Sequence, residues 1–216
     1  LLFITIIAFL ACDICDDSEF PFQKGIAFTG YWKDSYEGDG ARLALRELCR
    51  TKATWTSILA TGYQDTIDST TINFTGDETP TDSSLREIIR YAHQLRLKVM
   101  LKPHVDLLHD AQHWRGQIGI NFTDADWTAW FASYNEFILH YALIAEELDV
   151  EQFCIGCELD STVSHETEWR QIIGDIRSVC KGTLVYADDQ IENNPDAIKW
   201  WDALDLIGMD AYPTLT

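Results

Sequence analysis

Basic residues are scarce in this sequence. Sixteen lysines and arginines stand against 35 aspartates and glutamates, a formal net charge of −19. That balance argues against a nucleic-acid partner and against binding to anionic membranes, because both need clustered Lys and Arg. No apolar run reaches the roughly 20 residues that cross a bilayer. No Gly-x-Gly-x-x-Gly and no phosphate loop follows the first strand-like segment, so nothing there marks a dinucleotide site. Six cysteines in 216 residues are too sparse for a disulfide scaffold. Low-complexity linkers and repeats in residue identity are also missing. What is present is a chain 46% apolar and 24% charged, which predicts a folded protein with one sizeable core.

The N-terminus is the most apolar stretch. Leu1 to Cys12 reads LLFITIIAFLAC and is followed by the acids Asp13, Asp16 and Asp17. Its length fits the apolar region of a secretory signal, with a cleavage zone near Ala11. The run has no initiator methionine and no basic lead-in, so the native start is expected upstream. Phe9-Leu10-Ala11-Cys12 loosely resembles a lipobox, making a lipid anchor on Cys12 the alternative. Residues 1–20 are thus expected to be a signal-like segment with a short linker, and 21–216 the folded domain of a secreted, monomeric protein. Asn73-Phe74-Thr75 and Asn121-Phe122-Thr123 are glycosylation sequons.

From Gly25 onward a pattern recurs: a short β-type run, a polar loop, an amphipathic helix. Strands are predicted at 25–29, 53–60, 97–102 (stopped by Pro103), 152–157, 183–187 and 204–210. Helices are predicted near 41–50, 81–95, 126–147, 164–179 and 197–201. Six strand–helix alternations imply a parallel sheet covered by helices. Polar and ionisable residues gather past the strand C-termini: Tyr31 and Trp32, Gln64, His104 and Asp106, Glu158, Asp188, Tyr212. Functional groups at many strand ends mark the active face of a (β/α)8 barrel, a TIM barrel. A full barrel takes about 250 residues, so strands seven and eight are expected beyond Thr216.

The stretch CIGCE, Cys154 to Glu158, offers two chemistries. A zinc site of C-x-x-C type wants a second ligand pair, and the sequence has none of that spacing in the domain. Residues three apart on a strand lie on opposite faces. Cys154 and Cys157 are therefore expected to point apart, buried and unbonded. Glu158 follows five small or apolar residues, at the edge of a low-dielectric core. Burial raises the proton affinity of a carboxyl, which suits a general acid working near neutral pH.

Lys102-Pro103-His104-Val105-Asp106, Trp114-Arg115-Gly116, Gly156-Cys157-Glu158-Leu159, Trp169-Arg170 with Ile172-Ile173, Trp200-Trp201-Asp202 with Leu204-Asp205-Leu206-Ile207-Gly208, and Asp210-Ala211-Tyr212 occur in this order. Together they resemble glycoside hydrolase family 113, the endo-β-1,4-mannanase-like barrels of glycosidase clan A. The resemblance covers roughly Gly25 to Pro213. Cys157 stands where family members usually carry threonine. The resemblance implies a retaining two-glutamate mechanism on a β-1,4-linked, mannan-like polysaccharide, without metal or organic cofactor. Glu158 matches the acid/base after strand four; the nucleophile after strand seven would fall beyond Thr216. The alternative is a carbohydrate-binding barrel that has lost catalysis.

Around Glu158 the candidate substrate-binding residues are Trp32, His104, Asp106, Trp114, Arg115 and Tyr212. Trp32 and Trp114 fall in rim loops, where an indole can stack on a sugar ring. His104 either bonds a sugar hydroxyl or anchors its loop. Arg115 either contacts hydroxyls or pairs with an acid, and Tyr212 either orients the nucleophile or packs. The tryptophans at 127, 130, 169, 200 and 201 are expected in the core.

Overall fold

The computed structural model describes residues 22–189, 194 and 196–211. Six parallel strands form one sheet in sequential order: β1 (Gly25–Phe28), β2 (Trp55–Gln64), β3 (Lys98–Leu107), β4 (Gln152–Cys157), β5 (Thr183–Asp188) and β6 (Leu206–Met209). Four α-helices return the chain between strands: α1 (Gly38–Arg50), α2 (Asp82–Gln94), α3 (Asp124–Glu147) and α4 (Glu166–Val179). β1 and β6 are the two open edges. This is a partial (β/α)8 barrel of six strands, as the alternation predicts.

Local chemistry accounts for the helix starts. Thr81 caps α2 by accepting the Ser84 amide at 3.1 Å, satisfying a donor that the first turn leaves free. α3 opens on a capping box. The Thr123 amide donates to Asp126 at 2.9 Å, and the Asp126 amide donates back to the Thr123 hydroxyl at 3.3 Å. Three- and four-residue spacing then turns Trp130, Tyr134, Phe137, Ile138 and Tyr141 inward, all buried. Trp130 stacks on Tyr134 at 4.9 Å and Trp169 on Trp200 at 4.8 Å, with Tyr134 edge-on to Trp169 at 5.4 Å. These three tryptophans are fully buried; Trp127 and Trp201 are half-buried against the same core.

Two strands differ from the sequence reading. β2 runs on to Gln64, which is buried rather than a loop residue. Its side-chain oxygen accepts from Trp130 Nε1 at 2.8 Å, and its amide donates to the Thr66 and Ser69 carbonyls. β3 does not stop at Pro103 but continues to Leu107. β3 pairs with β4 only at Met100 and Leu101, whereas it follows β2 to Gln64. Proline sits in the one-sided part of the ladder, where a missing N–H costs least.

Candidate active site

The extension of β3 builds one wall of the site. Lys102, His104 and Asp106 alternate along it and share a face. All three line a cavity of about 400 Å³ at the C-terminal ends of the strands, together with Thr29, Tyr31, Thr61, Arg115, Glu158 and Asp210. Glu158 stands one residue past β4, with its backbone in the left-handed region at φ 53°. For a non-glycine residue that conformation costs of order 1–3 kcal/mol, and several contacts hold it. The Glu158 amide donates to the Ala187 carbonyl at 2.9 Å. The Leu159 amide donates to Tyr186 Oη at 3.0 Å, and Tyr134 Oη donates to the Ile155 carbonyl at 2.7 Å. Gly156 is needed beneath them. A Cβ there would lie 2.8 Å from the Tyr186 ring and 3.0 Å from both Trp169 and the Tyr134 hydroxyl.

Arg115, in the short 3₁₀ turn Arg115–Gln117, reaches three site residues at once. It donates to Asp106 at 3.1 Å and to His104 Nδ1 at 3.2 Å, and lies 3.5 Å from Glu158 Oε2. Of the two sequence alternatives for Arg115, the geometry favours pairing with acids. Because guanidinium only donates, His104 Nδ1 must be the acceptor and Nε2 carries the hydrogen. That Nε2 is buried and has no protein partner. Burial, with Arg115 and Lys102 nearby, pushes His104 down to about 3, so the ring is a neutral donor.

On the other side of Glu158 stands Asp210, just past β6. Both its oxygens accept from Lys102 Nζ, at 3.1 and 3.0 Å, and Oδ2 accepts from the Cys157 thiol at 3.1 Å. Burial and Asp210 raise the Glu158 carboxyl above its ordinary range, and Arg115 opposes them. Burial also disfavours ionised Asp210, but Lys102 and the thiol more than offset that, so Asp210 falls below its ordinary value. Of the pair, Glu158 is therefore the carboxyl whose protonated form the site favours. Further along, Asp160 approaches Asp188 and Asp189 at the end of β5. Burial and those two acids push Asp160 up to about 7.

The cysteines depart from expectation in one respect. Cys154 and Cys157 are free and buried, but they do not point apart. A register shift between them in the β4–β5 ladder turns both into one interior cluster with Val185 and Ala187. Burial raises both thiols above the ordinary cysteine value. Among the described residues, two groups bring three ligand-type atoms within 4.8 Å: Cys157 with Glu158 and Asp210, and Asp160 with Asp188 and Asp189. Neither includes His104 or Asp106, and in the first the Lys102 ammonium already supplies the positive charge.

The remaining candidates lie further out. Trp32 follows β1 and is 63% exposed; Trp114 is 40% exposed, with its indole over Gly116. Both occupy rim loops, and neither lines the cavity. Tyr212 lies outside the described residues, as do residues 1–20. Tyr31, Lys102 and Asp210 are site residues that the sequence reading did not single out for a role. The signal for Lys102 was its two-residue spacing from His104 and Asp106, hidden by ending the strand at Pro103.

Fold and cleft together define a TIM-barrel protein whose ionisable groups converge on the C-terminal strand ends, around a glutamate of raised proton affinity. The profile of Glycoside Hydrolase Family 113 matches residues 27–216, and the chain belongs to that family. A solved GH113 β-1,4-mannanase is similar at 36% identity and a TM-score of 0.82, over 89% of this chain and 63% of that one. The GH113 β-mannanase AaManA from Alicyclobacillus acidocaldarius, solved in complex with ManMIm, is similar at 30% identity and 0.81, over 90% and 63%. The β-mannanase of Thermomonospora fusca, at 15% identity and 0.56, shares the fold. No curated protein matches. The chain thus spans less than two thirds of the length of the family structures it resembles.

Proposed function

We propose that this chain carries the acid/base half of a retaining glycosidase that hydrolyses β-1,4-linked mannan. The observation that carries the proposal is the Glu158 carboxyl, held at the end of β4 in a cavity of about 400 Å³ where burial raises its proton affinity. Glycoside cleavage needs a proton donor for the leaving oxygen and, in retaining enzymes, a nucleophilic carboxylate about 5–5.5 Å away. Glu158 fills the first role. It protonates the glycosidic oxygen, then deprotonates the incoming water. The nucleophile belongs to the strand that follows β6 in a closed barrel.

The neighbours suit a sugar. His104 Nε2–H is a buried donor without a protein partner, facing the space where a sugar hydroxyl would lie. Arg115 and Asp106 form a charged pair beside it, able to bond two hydroxyls. Tyr31, 47% exposed on the cavity wall, offers a stacking face. Trp32 and Trp114 on the rim suit more distant rings of a polymer. Mannan is the chosen substrate because the family structures with 30–36% identity are β-mannanases. Secretion fits a polymeric substrate, which cannot enter a cell.

The test uses the whole protein on β-mannan, glucomannan, xylan and cellulose, with Glu158→Gln alongside. Hydrolysis of β-mannan that falls by roughly 10²–10⁴-fold in the variant is the expected result. Glycan binding without hydrolysis by the wild type would instead favour a non-catalytic carbohydrate-binding barrel.

A further inference from the structure

We propose that Asp210 is a positioning residue that keeps the proton on Glu158, and that Lys102 locks Asp210 as the ionised partner. The inference rests on Glu158 being the acid/base. It starts from a buried asymmetry. Asp210 receives three hydrogen bonds, two from Lys102 and one from the Cys157 thiol, at 3.0–3.1 Å. Among the described residues the cation paired with Glu158 is Arg115, at 3.5 Å, and that guanidinium is shared with Asp106 and His104. Two carboxyls this close, within 4.8 Å, do not both ionise easily. The proton stays on the carboxyl with fewer donors, which is Glu158.

Every element around Glu158 contributes a charge. Lys102 and neutral His104 come from β3, Arg115 from the turn after it, and Asp189 from the end of β5. Asp210 comes from the end of β6, and Asp160 from Glu158's own turn. Arg115 pulls the Glu158 proton off; Asp210 and Asp189 hold it on. Asp210 brings a carboxylate oxygen within 4.8 Å of the Glu158 carboxyl. Lys102 is only 13% exposed, and the carboxylate it bonds is that of Asp210. Its placement therefore serves Asp210 rather than a substrate at the mouth of the cavity. When Glu158 gives its proton to the leaving oxygen, a second negative charge appears beside Asp210. The repulsion favours taking the proton back from the incoming water, so the same residue helps both half-reactions.

The experiment is the pH profile of kcat/KM on β-mannan for the whole protein, in wild type, Asp210→Asn, Lys102→Met and Lys102→Gln. Loss of a negative charge beside Glu158 favours its ionised form. Asp210→Asn should therefore move the alkaline limb to lower pH by about one unit. Loss of the ammonium should move the same limb to higher pH in the Lys102 variants, of which Lys102→Gln is the more conservative if the methionine variant folds poorly. Opposite displacements are the signature, since a merely structural defect lowers activity without moving the limb in a charge-dependent direction. Limbs that stay in place, or move the same way in both variants, would overturn the proposal. Infrared titration gives a reading independent of turnover. The carboxylic-acid carbonyl band that Glu158→Gln removes should vanish at lower pH in Asp210→Asn. If Glu158→Gln is as active as wild type, the acid/base assignment itself fails. If it is inactive while the limb and the band ignore Asp210, only the role of Asp210 fails.

Discussion

Gly156→Ala tests whether packing behind β4 aims the Glu158 carboxyl. The new methyl carbon would sit 2.8 Å from Tyr186 Cε2, 3.0 Å from Trp169 Cη2 and 3.0 Å from Tyr134 Oη. None of the three can give way easily. Tyr186 and Trp169 are fully buried and Tyr134 is 1% exposed. Trp169 is stacked on Trp200, and the two tyrosine hydroxyls hold the backbone at Ile155 and Leu159. Overpacking of this kind costs about 1–3 kcal/mol. In a domain of this size that lowers the melting temperature by roughly 2–12 °C. The strain also falls two residues from Glu158, whose left-handed backbone depends on those contacts. Turnover should therefore drop more than the folded fraction does. Thermal melts and kcat on the whole protein measure both. A variant with unchanged melting temperature and unchanged kcat would refute the packing explanation. Tyr134→Phe in the same chain removes one of the three clashes and should recover part of the stability.

His104 is neutral in the folded protein, because burial with Arg115 and Lys102 lowers it from 6.5 to about 3. The unfolded chain binds the extra proton below 6.5, so the stability associated with neutral His104 is present above that pH. It is lost as pH falls toward 3. His104→Gln should flatten the stability-versus-pH curve in that window; denaturant melts of both proteins from pH 4 to 7 would show an identical slope if the ring is not neutral. Among the described cysteines, buried Cys154, Cys157 and Cys180 should resist a thiol reagent until the protein unfolds, while half-buried Cys49 reacts before them. A fast-reacting pair at 154 and 157 in native protein would contradict the structural role given to them here.

Much of the fold was legible because the apolar spacing of the helices is regular. The helix predicted near 81–95 is α2, with Leu85, Ile88, Ile89 and Ala92 buried at three- and four-residue spacing and Thr81 capping it. Glu158 could be picked out because a single acid follows an unbroken small and apolar strand. What stayed hidden depends on register. Proline at 103 reads as a stop, yet a strand paired on one side tolerates it, and the continuation puts Lys102, His104 and Asp106 on one wall. Cys154 and Cys157 should face apart in a regular strand, and the register shift beside β5 overrides that. Gln64 reads as a rim residue but serves Trp130 of α3, 66 positions away. Lys102 and Asp210 are separated by 108 positions. Only the curling of the sheet brings them together, and no local pattern announces it.

Proton donation by Glu158 predicts that natural and activated substrates respond differently to its loss. The most direct measurement compares Glu158→Ala with wild type in the whole protein on β-mannan and on a dinitrophenyl β-mannobioside. Dinitrophenolate leaves without protonation, so its release does not need a general acid. Hydrolysis of mannan should collapse in the variant, while the first step on the activated substrate should proceed at near the wild-type rate. Added azide should then replace the water that Glu158 no longer activates and give a β-mannobiosyl azide. Equal losses on both substrates, or no loss on mannan, would contradict the assignment.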